Sequence, residues 1–209
     1  MALGARFPEV LSAAADGAEW AWAELYRDLA PGLLRFLTSQ GATDPDDCLG
    51  EVFLQVVRQL HEFVGEEADF RTWVFRIARS RLIDAWRREQ RRPQTVGVDP
   101  DQMPDGARLG APADEFALQR AAVDEILARL TPDQRAVVLL RHLHQFSVAE
   151  TATILGKGEG AVRVLQHRAL RSLRRTLGER APDDATHPAA SSRPRVDIRG
   201  LIHAAMQSF

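Results

Sequence analysis

Apolar residues recur at helical spacing along most of this chain, with few β-branched alternations of the kind strands require. The periodicity predicts helices at about Phe7–Ala15, Glu19–Gln40, Pro45–Leu60 and Phe70–Gln90. A second group is predicted at about Asp114–Arg129, Pro132–His144, Ser147–Leu155 and Glu159–Gly178. In the third helix Leu49, Val52, Phe53, Val56, Val57 and Leu60 form the apolar stripe, Asp44 is the cap and Pro45 takes the first helical position. Thr131 and Pro132 repeat that cap-and-proline arrangement. Between the groups, Pro93–Pro112 breaks every period with proline, glycine and aspartate, and reads as a linker without its own core. At about 3.3 Å per residue it reaches on the order of 60 Å when extended, enough to hold two lobes far apart. The expected fold is all-α: a domain at 1–92, a flexible linker at 93–113, a second domain at 114–178 and a tail at 179–209.

The stretch Ser147 to Arg175 carries the most specific local signals. Ser147 and Glu150 make a capping box, hydroxyl on the helix start and carboxylate reaching back. Gly156 stands where the helix must end in a left-handed turn, which glycine tolerates best. The next helix buries Val162, Leu165, Ala169, Leu173 and Leu177 and turns Arg163, Val164, His167, Arg168, Arg171, Arg174 and Arg175 the other way. Small Ala152 suits the close crossing of two such helices. An amphipathic helix with a merely solvated basic face would show the same arginines. The cap, turn glycine and apolar stripe in register favour a helix-turn-helix that reads duplex DNA, with phosphate contacts along its length and base contacts near its N-terminal turns.

Composition is that of an ordinary soluble protein, 45% hydrophobic and 27% charged over 209 residues. A net charge of −2 argues against a generic polyanion binder, but its distribution reverses that inference. Arg71–Arg92 holds eight arginines against two carboxylates, a balance of +6, and Lys157–Arg180 holds seven cations against two, a balance of +5. Thr43–Asp69 holds eight carboxylates against Arg58 alone, a balance of −7. Two basic patches suit nucleic acid, and the acidic one suits a basic protein surface. The single cysteine, Cys48, excludes an internal disulfide and reads as a small buried residue, and the six histidines show no metal-ligand spacing. Neither a cofactor nor a metal is expected. No run approaches transmembrane length and the start lacks a signal-peptide core, so a cytoplasmic protein without membrane insertion is expected.

In Phe70–Arg92 the aromatics Phe70, Trp73 and Trp86 interleave with arginines. Arginines grip phosphate and planar groups stack on unpaired bases, the pattern of a single-strand binder. At helical spacing, Phe70, Trp73 and Ile77 read first as core, and the exposed arginines carry the nucleic-acid expectation.

Taken together, DPDDCLGEVFLQVVRQL, FRTWVFRIARSRLIDAWRR, LTPDQRAVVLLRH and SVAETATILGKGEGAVRVLQHRALRSLRR resemble, in order, four signature stretches of the extracytoplasmic-function group of bacterial RNA polymerase sigma factors. The resemblance covers roughly Glu19 to Gly178 and implies a region 2 bundle followed by a region 4 helix-turn-helix. It implies that Asp46, Asp47, Glu51, Gln55 and Arg58 bind the polymerase clamp. It implies that the loop His61–Asp69, with Arg76, Arg79, Ser80 and Arg81, opens the minus-ten element and holds its non-template strand. Lys157, Arg163, His167, Arg168 and Arg171 are the residues expected on the minus-thirty-five duplex. The implied partners are core RNA polymerase, promoter DNA and an anti-sigma factor or other regulator. Asp99, Asp101 and Asp105 of the linker would lie on basic channel surface in the polymerase cleft. The chain departs from the family pattern at Cys48, where an aliphatic residue is usual, and at Gly50, where glutamine is usual and glycine costs the helix about 1 kcal/mol relative to alanine. Ser80 stands where asparagine is common, which bears on promoter choice.

Two other readings compete. A conventional repressor or activator would use the same helix-turn-helix but leaves the acidic helix and Arg71–Arg92 without a role. An enzyme would need a nucleophile, base and orienting residue, or a phosphate-binding glycine loop, and no such motif stands in the sequence. No catalytic residue is therefore expected. In the tail, Ala181–Arg195 has the composition of a disordered segment, whereas Ile198, Leu201, Ile202, Ala205, Met206 and Phe209 share one face of a short helix capped by Asp197. Such a helix needs a surface to bury that face, on this protein or on a regulator.

Overall fold

The computed structural model describes residues 3–91 and 125–176, all of them helical or connecting, with no strand among them. The linker, most of the helix expected at 114–129, Leu177 and the tail lie outside the described residues. After a 3₁₀ turn at Gly4–Arg6 come α1 (Phe7–Ala15), α2 (Glu19–Ser39), α3 (Pro45–Gln59) and α4 (Glu67–Arg91). Helical residues 125–128 then lead into α5 (Pro132–Val138), a π turn at Leu139–Leu143, α6 (Val148–Leu155) and α7 (Glu159–Thr176).

The first half closes around Val10 of α1, Leu25, Leu33, Phe36 and Leu37 of α2, Val52 and Val56 of α3, and Phe70, Val74 and Leu82 of α4, all essentially inaccessible to water. Each large side chain so buried contributes about 1.5–3 kcal/mol relative to exposure. The cap expected at Asp44 is formed, its Oδ1 accepting the Asp47 amide at 2.9 Å. Two expectations are corrected here. Helix α4 starts at Glu67, three residues before Phe70, because the Asp69 carboxylate accepts the Glu66 amide at 3.0 Å and starts the helix early. Val57 is not in the stripe: it is half exposed, while Leu49, Val52, Val56 and Leu60 are buried and Phe53 packs half-buried against the same core.

The second half is built on two capping boxes. At the start of α5 the Thr131 and Gln134 side chains each accept the other residue's backbone amide, and Ser147 and Glu150 do the same at α6. The helix expected to run unbroken from Pro132 to His144 stays α-helical only to Val138 and widens into the π turn. Gln145 then reverses the chain at φ 59°, turning His144 and Phe146 toward α2 and α4. His144 lies 4.8 Å from Phe75 and 6.2 Å from Phe36, and Phe146 lies 4.9 Å from Phe75, ring centre to ring centre. Helix α6 also packs on α4. The two halves, whose linker would let them sit far apart, therefore share one continuous core in this structure.

Candidate nucleic-acid and polymerase surfaces

The helix-turn-helix has the construction its sequence calls for. Helix α6 ends at Gly156 in the left-handed conformation, φ 62° and ψ 38°, and α7 crosses it with Val162 packed on Ala152 and Val137. Val162, Ala169 and Leu173 are buried and Leu165 is half-buried against them. On the other side Arg163, Val164, His167, Arg168, Arg171, Arg174 and Arg175 are all exposed. One face is held by packing, so the arginines are presented to solvent from a rigid rod. Arg163 is pre-positioned by Glu159 one turn earlier, at 2.8 Å. Lys157 is not free: its Nζ sits 2.9 Å from an Asp133 carboxylate oxygen.

The α4 surface is divided. Arg76 and Ser80 are exposed and Arg81 is half-buried, its guanidinium 3.5 Å from the Gln55 amide oxygen. Arg79 is buried and donates to the other oxygen of Asp133 at 2.9 Å. Burial lowers the Arg79 pKa from its ordinary value, while the Asp133 charge and hydrogen bond work the other way. The aromatics read as core are core: Phe70 is fully buried, and Trp73 packs in a cluster with Phe63 and Phe70. Trp86 lies under the Arg79 guanidinium and donates its indole N–H to the Gly41 carbonyl. Within His61–Asp69, the Glu67 carboxylate accepts the amides of Leu3 and Gly4 at 2.6 and 2.8 Å, tying the chain start to α4. His61 and Glu66 stay exposed around a cleft lined also by Phe7, Leu11 and Phe63, and Glu62 is exposed as well.

On α3, Asp46, Asp47 and Arg58 are exposed. Glu51 holds Arg88 of α4 through two 3.0 Å hydrogen bonds, and this pairing raises the Arg88 pKa. Gln55 lies beside it in the same groove. Cys48 is buried, and burial with Glu51 and Asp47 nearby pushes its thiol up to about 11, far from a reactive thiolate.

Comparison with known proteins decides what these surfaces belong to. Sigma-70 region 2 matches residues 22–92 and Sigma-70 region 4 matches residues 120–173. The chain is 34% identical over 186 residues to the ECF RNA polymerase sigma factor BldN of Streptomyces coelicolor, covering 87% of this chain and 68% of that protein. It is 35% identical over 159 residues to the ECF RNA polymerase sigma factor SigX of Bacillus subtilis, covering 73% and 79% respectively. The chain belongs to the extracytoplasmic-function group of RNA polymerase sigma factors. Its fold is also that of CnrH, solved in complex with the cytosolic domain of CnrY, with a TM-score of 0.60 at 24% identity over 82% of this chain and 97% of that one.

As a sigma factor it directs RNA polymerase to promoters. The structure adds residues to this sigma factor's surfaces that sequence reasoning passed over. Tyr26 stacks on Phe53 at 4.8 Å, and Tyr26, Leu54 and Val57 are all half exposed beside the acidic positions of α3. The exposure of Leu54 on the outer arc of α3 was legible from the helical period, since it lies opposite Val52 and Val56, whereas Val57 borders the buried arc. Asp133, by contrast, carried no local signal beyond its place in a helix's first turn.

Proposed function

We propose that the promoter-directing work is divided among three surfaces. Residues 1–92 form the unit that binds core polymerase and opens the minus-ten element, and residues 114–178 form the unit that reads the minus-thirty-five duplex, joined by the linker at 93–113. The outer face of α3, with Asp46, Asp47, Glu51, Gln55 and Arg58 around the apolar Leu54 and Val57, docks on the polymerase clamp. Arg76, Arg79, Ser80 and Arg81 grip the non-template strand beside the cleft at His61–Glu66. Lys157, Arg163, His167, Arg168 and Arg171 take the minus-thirty-five element from α7. The protein melts DNA by binding it and catalyses no reaction of its own, and it acts in the cytoplasm, where polymerase and promoters are. An anti-sigma factor is the regulator we infer, by similarity to CnrH, which was solved with the cytosolic domain of CnrY.

The observation that carries this reading is the separation of faces on α7: every apolar stripe residue described is packed, and every arginine of the opposite arc is exposed. The polymerase assignment is tested with Glu51→Arg. The substitution breaks a partly exposed ion pair with Arg88 and leaves the packed positions of α3, Leu49, Val52, Val56 and Leu60, untouched. Binding of the folded variant to core polymerase should fall at least tenfold; retained affinity would remove α3 from the clamp interface.

A further inference from the structure

Two features stand apart from the three surfaces above. One is the amphipathic segment at 197–209, which lies outside the described residues; the other is an apolar cleft of about 650 Å³ between α1 and the loop that joins α3 to α4. Phe7 and Leu60 are buried at the cleft, while Leu11 and Phe63 keep part of their apolar surface exposed to it. Its walls are held in place on both sides. The Glu67 carboxylate accepts the amides of Leu3 and Gly4 at 2.6 and 2.8 Å, and Phe63 packs on Phe70 at 5.1 Å. The wall formed by residues 61–69 carries four carboxylates, Glu62, Glu66, Glu67 and Asp69, and no lysine or arginine. Glu67 and Asp69 accept backbone amides, whereas Glu66 is exposed at the cleft with no cation against its carboxylate among the described residues.

We propose that this cleft is the seat of the chain's own segment 197–209, laid along it as a helix with Ile198, Leu201, Ile202, Ala205, Met206 and Phe209 turned inward. Those positions follow the spacing i, i+3, i+4, i+7, i+8 and i+11, the anchors of a helix in a groove. The charges are complementary. Residues 193–203 carry Arg193, Arg195 and Arg199 against Asp197, a balance of +2, and the cleft wall is acidic. The chain is also long enough. The 20 residues between Thr176 and Asp197 reach about 66 Å when extended, and a compact chain of this length has a radius of gyration of about 17 Å. Tethering holds the segment at a local concentration on the order of millimolar, and burial of its apolar face stabilises a helix too short to persist in water alone. The docked segment lies against the loop that the proposed function assigns to the minus-ten element, and that consequence alone rests on that reading.

The test uses the full chain with Phe209→benzoylphenylalanine, whose excited ketone inserts into a neighbouring C–H bond. Irradiation of dilute protein, then digestion and mass spectrometry, should join residue 209 to residues 7–15 or 60–67 of the same chain. Ile202→Asp, which places a carboxylate on the docking face, should remove that crosslink. Ser12→Arg should remove it as well, because Ser12 is exposed at the cleft and the substitution fills it with a cation. Leu54→Arg, on the exposed apolar side of α3, should leave the crosslink in place. Crosslinks to α3 or to a second copy, none at all, or one that survives Ile202→Asp, would overturn the seat. Transcription in vitro by the same protein checks the minus-ten role independently: RNA without a crosslink at the cleft removes the seat and keeps that role, and a crosslink without RNA does the reverse.

Discussion

His144 makes the junction between the halves sensitive to acid. Burial among Phe36, Phe75 and Phe146, with Arg71 and Arg35 adding positive charge, pushes its imidazole from 6.5 down to about 3. Its Nε2 has no hydrogen-bond partner among the described residues, so nothing nearby favours the charged form. When the junction opens or the chain unfolds, the ring regains its ordinary pKa and takes up a proton below about pH 6.5, whereas the packed ring stays neutral down to about 3. The open or unfolded state thus binds more protons throughout that window, and stability is lost as pH falls. Between about pH 8 and pH 5 the linkage amounts to about 2 kcal/mol, and it depends only on the packed value lying well below 5. Urea titrations at both pH values should show that difference between the parent and His144→Leu, which is close in volume and does not titrate. Carboxylates and the other histidines contribute equally to both proteins and cancel. Equal pH dependence in parent and variant would refute a buried, neutral His144, and with it the sealing of the halves by that ring.

Gly50→Ala should stabilise the protein by about 1 kcal/mol, because Gly50 sits inside α3, is exposed, and a methyl group there meets nothing within 4 Å; an unchanged urea midpoint would contradict this. Arg163→Ala should relax base choice at one promoter position by about 1–3 kcal/mol, since Glu159 presents its guanidinium at the N-terminal turn of α7. Arg171→Ala, three turns from the helix start, should weaken all promoters alike and reduce the salt slope by about 1. Equal losses on every promoter for both variants would dissolve that division between base reading and phosphate contact.

The helix ends and faces were legible in the sequence because their causes are local. Ser147 with Glu150 and Gly156 after Leu155 each satisfy backbone groups within one turn, and each does so in the structure. The exposed arc of α7 followed from period alone. What local patterning does not encode is contact between distant segments. His144 and Phe146 sit after a helix that the apolar period extends unbroken, and only the π turn with Gln145 at positive φ aims them at Phe75, some seventy residues earlier. Arg79 has the sequence context of any arginine of a basic helix, and only the fold brings Asp133, 54 positions away, against it. Val57 was misassigned for a smaller reason: it borders the buried arc, and α3 turns that border outward, leaving an apolar surface where the polymerase contact is proposed.

The most direct measurement of the central claim is transcription in vitro from a pool of genomic fragments, with purified core polymerase and this protein as the sole added factor. RNA starting at a limited set of sites, lost with Glu51→Arg, is the expected result. No RNA from any fragment, alongside specific duplex binding by the protein alone, would make it a conventional DNA-binding regulator instead.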